Sequence, residues 1–352
     1  MKNLIKRIRN AVLLPSVAFI FALFLGGVLI KLQGHDPFVA YKVLIIKGFS
    51  SKAGLQATLA KAGILILAGI AITIGLRAGL FNIGAQGQVI TGALAFTYIG
   101  YAVHGLPAWI HIPFALIFAV LVSALLGAIV GFLKATRGVH EVISTIMFNS
   151  IMYGIVDYLA QNQLKMPGQP NTRTPDILPS ARLPHLFGFP IGFIIAVGIA
   201  ILVNWLLKRT TTGFQLETVG RNRAAAWYSG ISVKKAMVLG MVLSAAIAGF
   251  TGGLFSSETT GYFVPAFYSG IGFDGITIAL LGRANPIALI PGAIFIGGMR
   301  SAQSAIQFES GVAPDIINLL LALVLFFATA PLLAKLLKSE SKSVTTTSGW
   351  GS

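Results

Sequence analysis

Asn82, Gln86 and Gln88 stand in "GLFNIGAQGQ", residues 79–88, beside Gly79, Gly84 and Gly87, with no formal charge, inside a long apolar region. Carboxamides are neutral and both donate and accept hydrogen bonds. Their chemistry here is either recognition of an uncharged polar ligand or hydrogen bonding between helices. At 100° per residue, a helix puts Asn82 and Gln86 on one face and Gly84, Gly87 and Gln88 near the opposite one. The glycine side lets a neighbouring helix approach closely. Glycines also allow a helix to begin late or unwind, and discontinuous helices near the bilayer midplane line substrate sites. Ligand contact and interhelical bonding both fit this spacing.

A second stretch, "YSGIGFDGITIALLGRANP", residues 268–286, places Phe273 and Asp274 among Gly270, Gly272 and Gly275. A carboxylate at membrane depth is costly and is a functional candidate by default. At the start of a span, however, a helix N-terminus favours a negative side chain, so capping is the first expectation for Asp274 and ligand contact the second. Asn149 and Tyr153 share one face of "HEVISTIMFNSIMYGIVDYLA", bracketed by Glu141 and Asp157. Those two carboxylates lie about 24 Å apart along a helix axis, too far for a proton relay. Ser244, Thr251 and Thr277 suit polar contacts or the satisfaction of backbone carbonyls inside helices. There is no cysteine, and His35, His104, His111, His140 and His185 show neither paired spacing nor an HExxH run, so no metal site is expected.

The elements that must position these residues follow from composition. Of 352 residues, 55% are hydrophobic and 10% charged, and the mean hydropathy is +0.83. Soluble domains carry about 25% charged residues. Apolar stretches long enough to approach the ~20 residues of a crossing fall near 11–30, 62–76, 83–103, 112–133, 142–160, 190–207, 236–255, 271–282, 286–303 and 313–334, the second, eighth and ninth short or broken. Backbone amides cannot stay unpaired in lipid, and no period-2 alternation marks barrel strands, so the spans are helices. The fold class is all-α: a polytopic membrane protein of about ten transmembrane helices. "MKNLIKRIRN" followed by an apolar run reads as a retained anchor rather than a cleaved signal.

Most of the 26 Lys and Arg residues fall in the segments that are inner if the N-terminus is inside, which places both termini in the cytoplasm. Lys31, Lys42, Lys47, Lys52 and Lys61 run against the trend, and the outer segment 31–61 is expected to lie along the surface as an interfacial helix. The net charge of +16 suits anionic inner-leaflet lipid, and no nucleic-acid-binding pattern accompanies it. Residues 1–338 form a single transmembrane domain, with a Pro-rich outer loop at 161–189, a cytoplasmic loop at 208–235 and a disordered polar tail at 339–352.

The cytoplasmic loop, "KRTTTGFQLETVGRNRAAAWYSGISVKK", reads as a short capped helix. Asn222 suits the N-cap, Ala224–Ala226 favour helix and Gly230 ends it. A plain connector has no need of a capped alanine helix, and the small face of Ala225, Ala226 and Tyr228 suits docking onto a cytosolic partner. GxxxxGK[ST] occurs nowhere, and "GFTGG" and "GGMR" sit in helical apolar context, so this chain does not hydrolyse ATP by itself.

"FNIGAQGQ", "RGVHEVISTIMFN", "VGRNRAAAWYSGI" and "GFDGITIALLG" together resemble the membrane permease subunits of ABC importers in the branched-chain amino acid, ribose and nucleoside permease superfamily, nearest its nucleoside and simple-sugar branch. The resemblance spans Gly54 to Pro331. It implies a second homologous permease subunit, a cytosolic ABC ATPase with two fused nucleotide-binding halves, and an extracytoplasmic substrate-binding lipoprotein. In the inner loop the family pattern Asn-Pro-x-Ala-Ala-x-Tyr is met by Asn222, Ala225, Ala226 and Tyr228, with Arg223 in place of proline; Gly220 and Gly230 flank it as further ATPase-coupling residues.

The expected function is therefore uptake of nucleosides, purine nucleosides first, across a bacterial plasma membrane. Asn82, Gln86, Gln88, Asn149, Tyr153, Phe273 and Asp274 are the expected substrate pathway, and no cofactor is expected on this chain because ATP and Mg belong to the partner ATPase. The alternatives are an ABC permease for ribose or another simple sugar, and an ion-coupled secondary transporter. The second lacks a convincing intramembrane carboxylate pair. An intramembrane enzyme would need a nucleophile and base, a His cluster or a carboxylate pair at span depth, and the sequence offers none.

Overall fold

In the computed structural model of the chain, residues 20–326 are described apart from 22, 187, 269, 314, 321, 324 and 325. The start of the first expected span, the end of the last and the tail at 339–352 lie outside the described residues. The helices are α1 (Leu23–Leu32), α2 (Pro37–Ile45), α3 (Lys52–Arg77), α4 (Ala85–Ala102), α5 (Ala108–Arg137), α6 (Glu141–Gln161), α7 (Ile191–Arg209), α8 (Thr211–Arg221), α9 (Arg223–Tyr228), α10 (Val233–Phe255), α11 (Ile271–Leu281) and α12 (Leu289–Ser310). A two-residue antiparallel pair, β1 (His185–Leu186) with β2 (Phe189–Pro190), is the only sheet among the described residues.

Among the described residues, five helices are long and apolar enough to cross a membrane: α3, α5, α6, α7, and α10 with its continuation to Thr260. α1 and α11 are shorter apolar helices. The chain is thus an all-α, multi-pass membrane protein. The expected second span, 62–76, is longer than its apolar run suggests. Ser51 caps the start of α3, its Oγ accepting from the Gly54 N–H at 3.0 Å, and the helix continues unbroken to Arg77. Lys52 and Lys61 do not interrupt it, because lysine is a good helix former whose long stem can carry the ammonium away from an apolar face. In the segment expected to lie along the surface, α2, capped by Asp36, is followed by a π-helical turn at Ile46–Ser50 before α3 begins.

The chain divides into two compact units, residues 47–301 and the remainder at the two ends. In the larger unit α10 is central, packing on α5, α4 and α3. The "GFTGG" cluster lies within α10 and explains how close this packing is. A Cβ on Gly252 would stand 2.0 Å from the Val89 carbonyl oxygen, and one on Gly92 2.4 Å from that of Gly249. Helices in lipid gain little from burying apolar surface against one another, so close backbone approach between small residues has to supply the attraction.

One end of the bundle gathers the last turn of α3, the α5–α6 turn and the α8–α9 pair. Lys134 and Glu141 pair across the α5–α6 turn at 2.7 Å. At the other end, residues 174–177 of the Pro-rich loop run beside 261–263. The Thr174 N–H donates to the Phe263 carbonyl at 3.1 Å, and the Ile177 N–H to that of Gly261 at 2.8 Å.

Candidate functional site: two broken helices and the α8–α9 pair

The helix expected to run through "GLFNIGAQGQ" starts only at Ala85, leaving residues 80–82 without helical structure. Asn82 and Gln86 therefore do not share a helical face. Asn82 turns to Gln88 instead: Asn82 Nδ2 donates to Gln88 Oε1 at 2.8 Å, and to the hydroxyl of Ser244 on α10 at 2.8 Å. That hydroxyl in turn donates to the Ala71 carbonyl of α3 at 2.6 Å.

A helix that begins inside a protein leaves its first N–H groups without carbonyl partners. The N-cap of α4 is Gly84, which offers no side chain. Asn149 of α6 supplies the missing group: its Oδ1 accepts from the Gly87 N–H at 2.7 Å, and its Nδ2 donates to the Ile83 carbonyl at 2.9 Å. Ile83 and Gly87 are four apart, the interval of a helical hydrogen bond. The carboxamide thus stands where a peptide-to-peptide bond would be.

The same arrangement recurs at α11. Its N-cap is Gly270, at φ +86° and without a capping side chain. Gln86 Nε2 donates to the Tyr268 carbonyl at 2.7 Å, and Gln86 Oε1 accepts from the Gly272 N–H at 2.7 Å. Gln86 Nε2 also reaches the Tyr153 hydroxyl at 2.9 Å. Two helix starts are thus completed by amides from other helices, α6 serving α4 and α4 serving α11.

Burial makes these bonds consequential. Asn82, Gln86 and Gln88 are 1%, 0% and 3% exposed and Asn149 7%. Leaving a buried backbone group unpaired costs roughly 1–3 kcal/mol. In this conformation the amides are occupied within the protein, and the cavity beside Gly84, Gly87 and Gln88 measures about 10 Å³, room for one water at most.

Asp274 does not cap α11. It lies in the first turn, but Arg300 of α12 takes its carboxylate through two bonds, Nε to Oδ2 at 3.0 Å and Nη2 to Oδ1 at 2.7 Å. A forked guanidinium–carboxylate pair is stronger than a single capping bond, and Gln86 already serves the Gly272 N–H. Phe273 beside it is about half exposed. Arg300 and Tyr268 escaped the sequence reading, whereas Ser244 does what its type suggests and satisfies a backbone carbonyl. Arg300 carried a signal, being a charge inside an apolar run that requires a counter-ion.

In the segment between α7 and α10, Asn222 caps α9, its Oδ1 accepting from the Ala225 N–H at 3.0 Å, and Gly230 ends the turn at φ +77°. A further helix, α8, precedes it, capped by Thr210. Ala226 faces inward: it is fully buried in a cluster with Leu216, Val219, Ile231 and Met237. The face left open is therefore Ala225, Trp227 and Tyr228, not the Ala225, Ala226 and Tyr228 set expected from composition. Six residues give less than two turns, so one position must point at the protein that holds the helix. Beside it opens a cleft of about 730 Å³ lined by Lys134, Arg223, Trp227, Lys234 and Met237 among others.

Residues 54–329 match the family described as branched-chain amino acid transport system / permease component. The chain is 33% identical over 339 residues to the guanosine ABC transporter permease protein NupP of Bacillus subtilis, covering 93% of this chain and 95% of that protein. It is 29% identical to the nucleoside ABC transporter permease protein NupB of Lactococcus lactis, over 95% of this chain and 94% of that one. The glucose ABC transporter permease protein TsgB13 of Haloferax volcanii is 30% identical over 89% of this chain and 86% of its own length.

Proposed function

The chain belongs to the family of permease components of branched-chain amino acid transport systems, and we propose that this member takes up nucleosides, purine nucleosides first, across a bacterial plasma membrane. It is the membrane-spanning permease subunit of an ABC importer, and in such systems ATP hydrolysis resides on a separate subunit. The observation that carries the nucleoside reading is the end-to-end similarity to permeases named for guanosine and for nucleosides. The glucose permease relative keeps a simple sugar as the second reading.

Ion coupling is disfavoured by the carboxylates themselves. Asp274 is engaged by Arg300 and Glu141 by Lys134, so each is held in an ion pair with a neighbouring helix rather than facing a path.

The substrate path runs past the point where α4 and α11 begin. Asn82, Gln86, Gln88, Asn149, Tyr153, Phe273 and Asp274 surround it, and when the two half-helices part, amides now bonded within the protein become donors and acceptors for an uncharged base and ribose. Neutral carboxamides suit such a ligand because they can both donate and accept without a counter-ion. Ten crossings place both termini in the cytoplasm. The ATPase docks on the α8–α9 pair through Ala225, Trp227 and Tyr228, with Gly220, Asn222, Ala226 and Gly230 shaping the pair beneath. A second related permease completes the membrane unit, and a surface lipoprotein delivers substrate to the other end.

Uptake of a panel of labelled nucleosides and sugars, in cells with and without the gene, tests this reading. Loss of nucleoside uptake alone is expected. Loss of ribose or glucose uptake with nucleoside uptake intact transfers the assignment to the sugar reading.

A further inference from the structure

Arg77, the last residue of α3, forks between two elements that are far apart in sequence. Its Nη1 donates to Glu217 Oε1 on α8 at 2.8 Å, and its Nε donates to the Ala284 carbonyl, in the turn after α11, at 2.8 Å. Arg221 holds the same Glu217 oxygen at 2.8 Å from within α8.

On the α8 side the joint is tight. A Cβ on Gly220 would stand 2.1 Å from the Arg77 carbonyl oxygen, and one on Gly79, at φ +69°, 2.8 Å from the Gly220 Cα. α8 therefore has no slack against the end of α3, and a displacement of α8 is felt at Arg77.

On the other side the turn is strained. Arg283 and Ala284 both adopt φ +51°, a left-handed conformation that residues with a Cβ rarely hold. Such a conformation persists only where its surroundings determine it. The surroundings here are the Ala284 N–H donating to the Ala279 carbonyl at 2.8 Å and Arg77 taking the Ala284 carbonyl. From this turn α11 runs back to Gly272, whose N–H is held by Gln86. α11 is thus gripped at both ends by side chains from other helices, with the α8–α9 pair at one end of the series and the start of α4 at the other.

We propose that Arg77 is the positioning residue that ties the cytosolic α8–α9 pair to α11, so that a displacement of the pair reaches the meeting point of α4 and α11. The proposal rests on the reading of α8–α9 as the ATPase-docking surface. Arginine is required because one planar guanidinium can serve a carboxylate and a carbonyl at once, which a lysine ammonium does with neither the reach nor the geometry.

The test uses the complete transporter, with its ATPase, second permease and binding protein, reconstituted in vesicles where ATP hydrolysis and uptake are read together. A third readout comes from Phe273→Cys: the chain has no native cysteine, so maleimide labelling of this subunit, resolved from its partners on a gel, with and without a non-hydrolysable ATP analogue reports on α11. Arg77→Lys and Glu217→Ala should hydrolyse ATP at close to the unsubstituted rate while uptake falls about tenfold or more, the scale of one lost charge-assisted hydrogen bond. Labelling at position 273 should then stop responding to nucleotide.

Parallel loss of hydrolysis and uptake, or full uptake in both variants, overturns the proposal. If Arg77→Lys fails to accumulate, Glu217→Ala carries the test, since it releases α8 and leaves the Ala284 contact in place. Failure of the docking reading itself looks different, because the ATPase would then not associate with the unsubstituted permease.

Discussion

Gln86 and Gly272 are 186 residues apart in sequence and joined by a 2.7 Å hydrogen bond that completes the first turn of α11. The other end of the same carboxamide holds the Tyr268 carbonyl, so one side chain replaces one helical hydrogen bond. Gln86→Met preserves size and removes both contacts, leaving a buried N–H and a buried carbonyl unpaired. A loss of about 2–4 kcal/mol is expected from two such groups. A lowered thermal unfolding midpoint in detergent, beyond that of Tyr153→Phe, checks it; equal midpoints would exclude the splice.

Asn149 acts one step earlier, on the helix that carries Gln86. Because loosening the start of α4 already loosens the Gly272 contact, Asn149→Ala and Gln86→Ala should not add. A double-mutant cycle on stability should give a coupling of about 0.5–3 kcal/mol, the range for residues in one network. Strict additivity would mean the two splices work independently.

Gly252 and Gly198 offer a matched pair of glycine substitutions. Gly252→Ala places a Cβ against the Val89 carbonyl, whereas Gly198 has nothing within 4 Å of its Cβ position. Gly252→Ala should lower the yield of folded protein through a clash worth about 1–3 kcal/mol, and Gly198→Ala, in α7, should leave it unchanged or raise it slightly. Size-exclusion profiles of the two variants decide.

The open face of α9 and its buried residue should part company under mutation. Trp227→Ala with Tyr228→Ala should reduce co-purification of the ATPase and leave folding intact, since both side chains are mostly exposed. Ala226→Glu places a charge in the protein's own core and should cost several kcal/mol if unpaired, disrupting α8–α9 before any partner arrives. Proteolysis of the 208–235 segment distinguishes them, with early cleavage expected for Ala226→Glu alone.

Of the residues that the sequence singles out, Asn82 bonds Gln88 and Gln86 bonds Tyr153, while Asn149 holds the start of α4 and Asp274 turns away to Arg300, so the geometry is legible only in part. Asn222 and Gly230 could be read directly, because a cap acts on residues within a few positions of itself and its chemistry is local. Asn82 and Gln86 were misplaced on a common face, since periodicity presumes a continuous helix and nothing in "GLFNIGAQGQ" states where α4 begins. Composition groups Ala226 with the outward face for a similar reason: in so short a helix the pattern does not say which side the bundle occupies.

By itself the sequence determined that the chain is all-α and membrane-embedded, because no other backbone can satisfy its own amides through a run of apolar residues this long. It also shows that no phosphate loop, a local motif, occurs in this chain, and the family places ATP hydrolysis on a separate subunit. Only the tertiary structure decided which carbonyl and which N–H each buried amide serves, and that Asp274 belongs to Arg300 rather than to its own helix end. The reason is one of range. Helix formation and capping are governed by neighbours a turn away, whereas the partners of Asn149, Gln86 and Arg77 lie 62 or more residues off, and only the close approach of packed helices selects them.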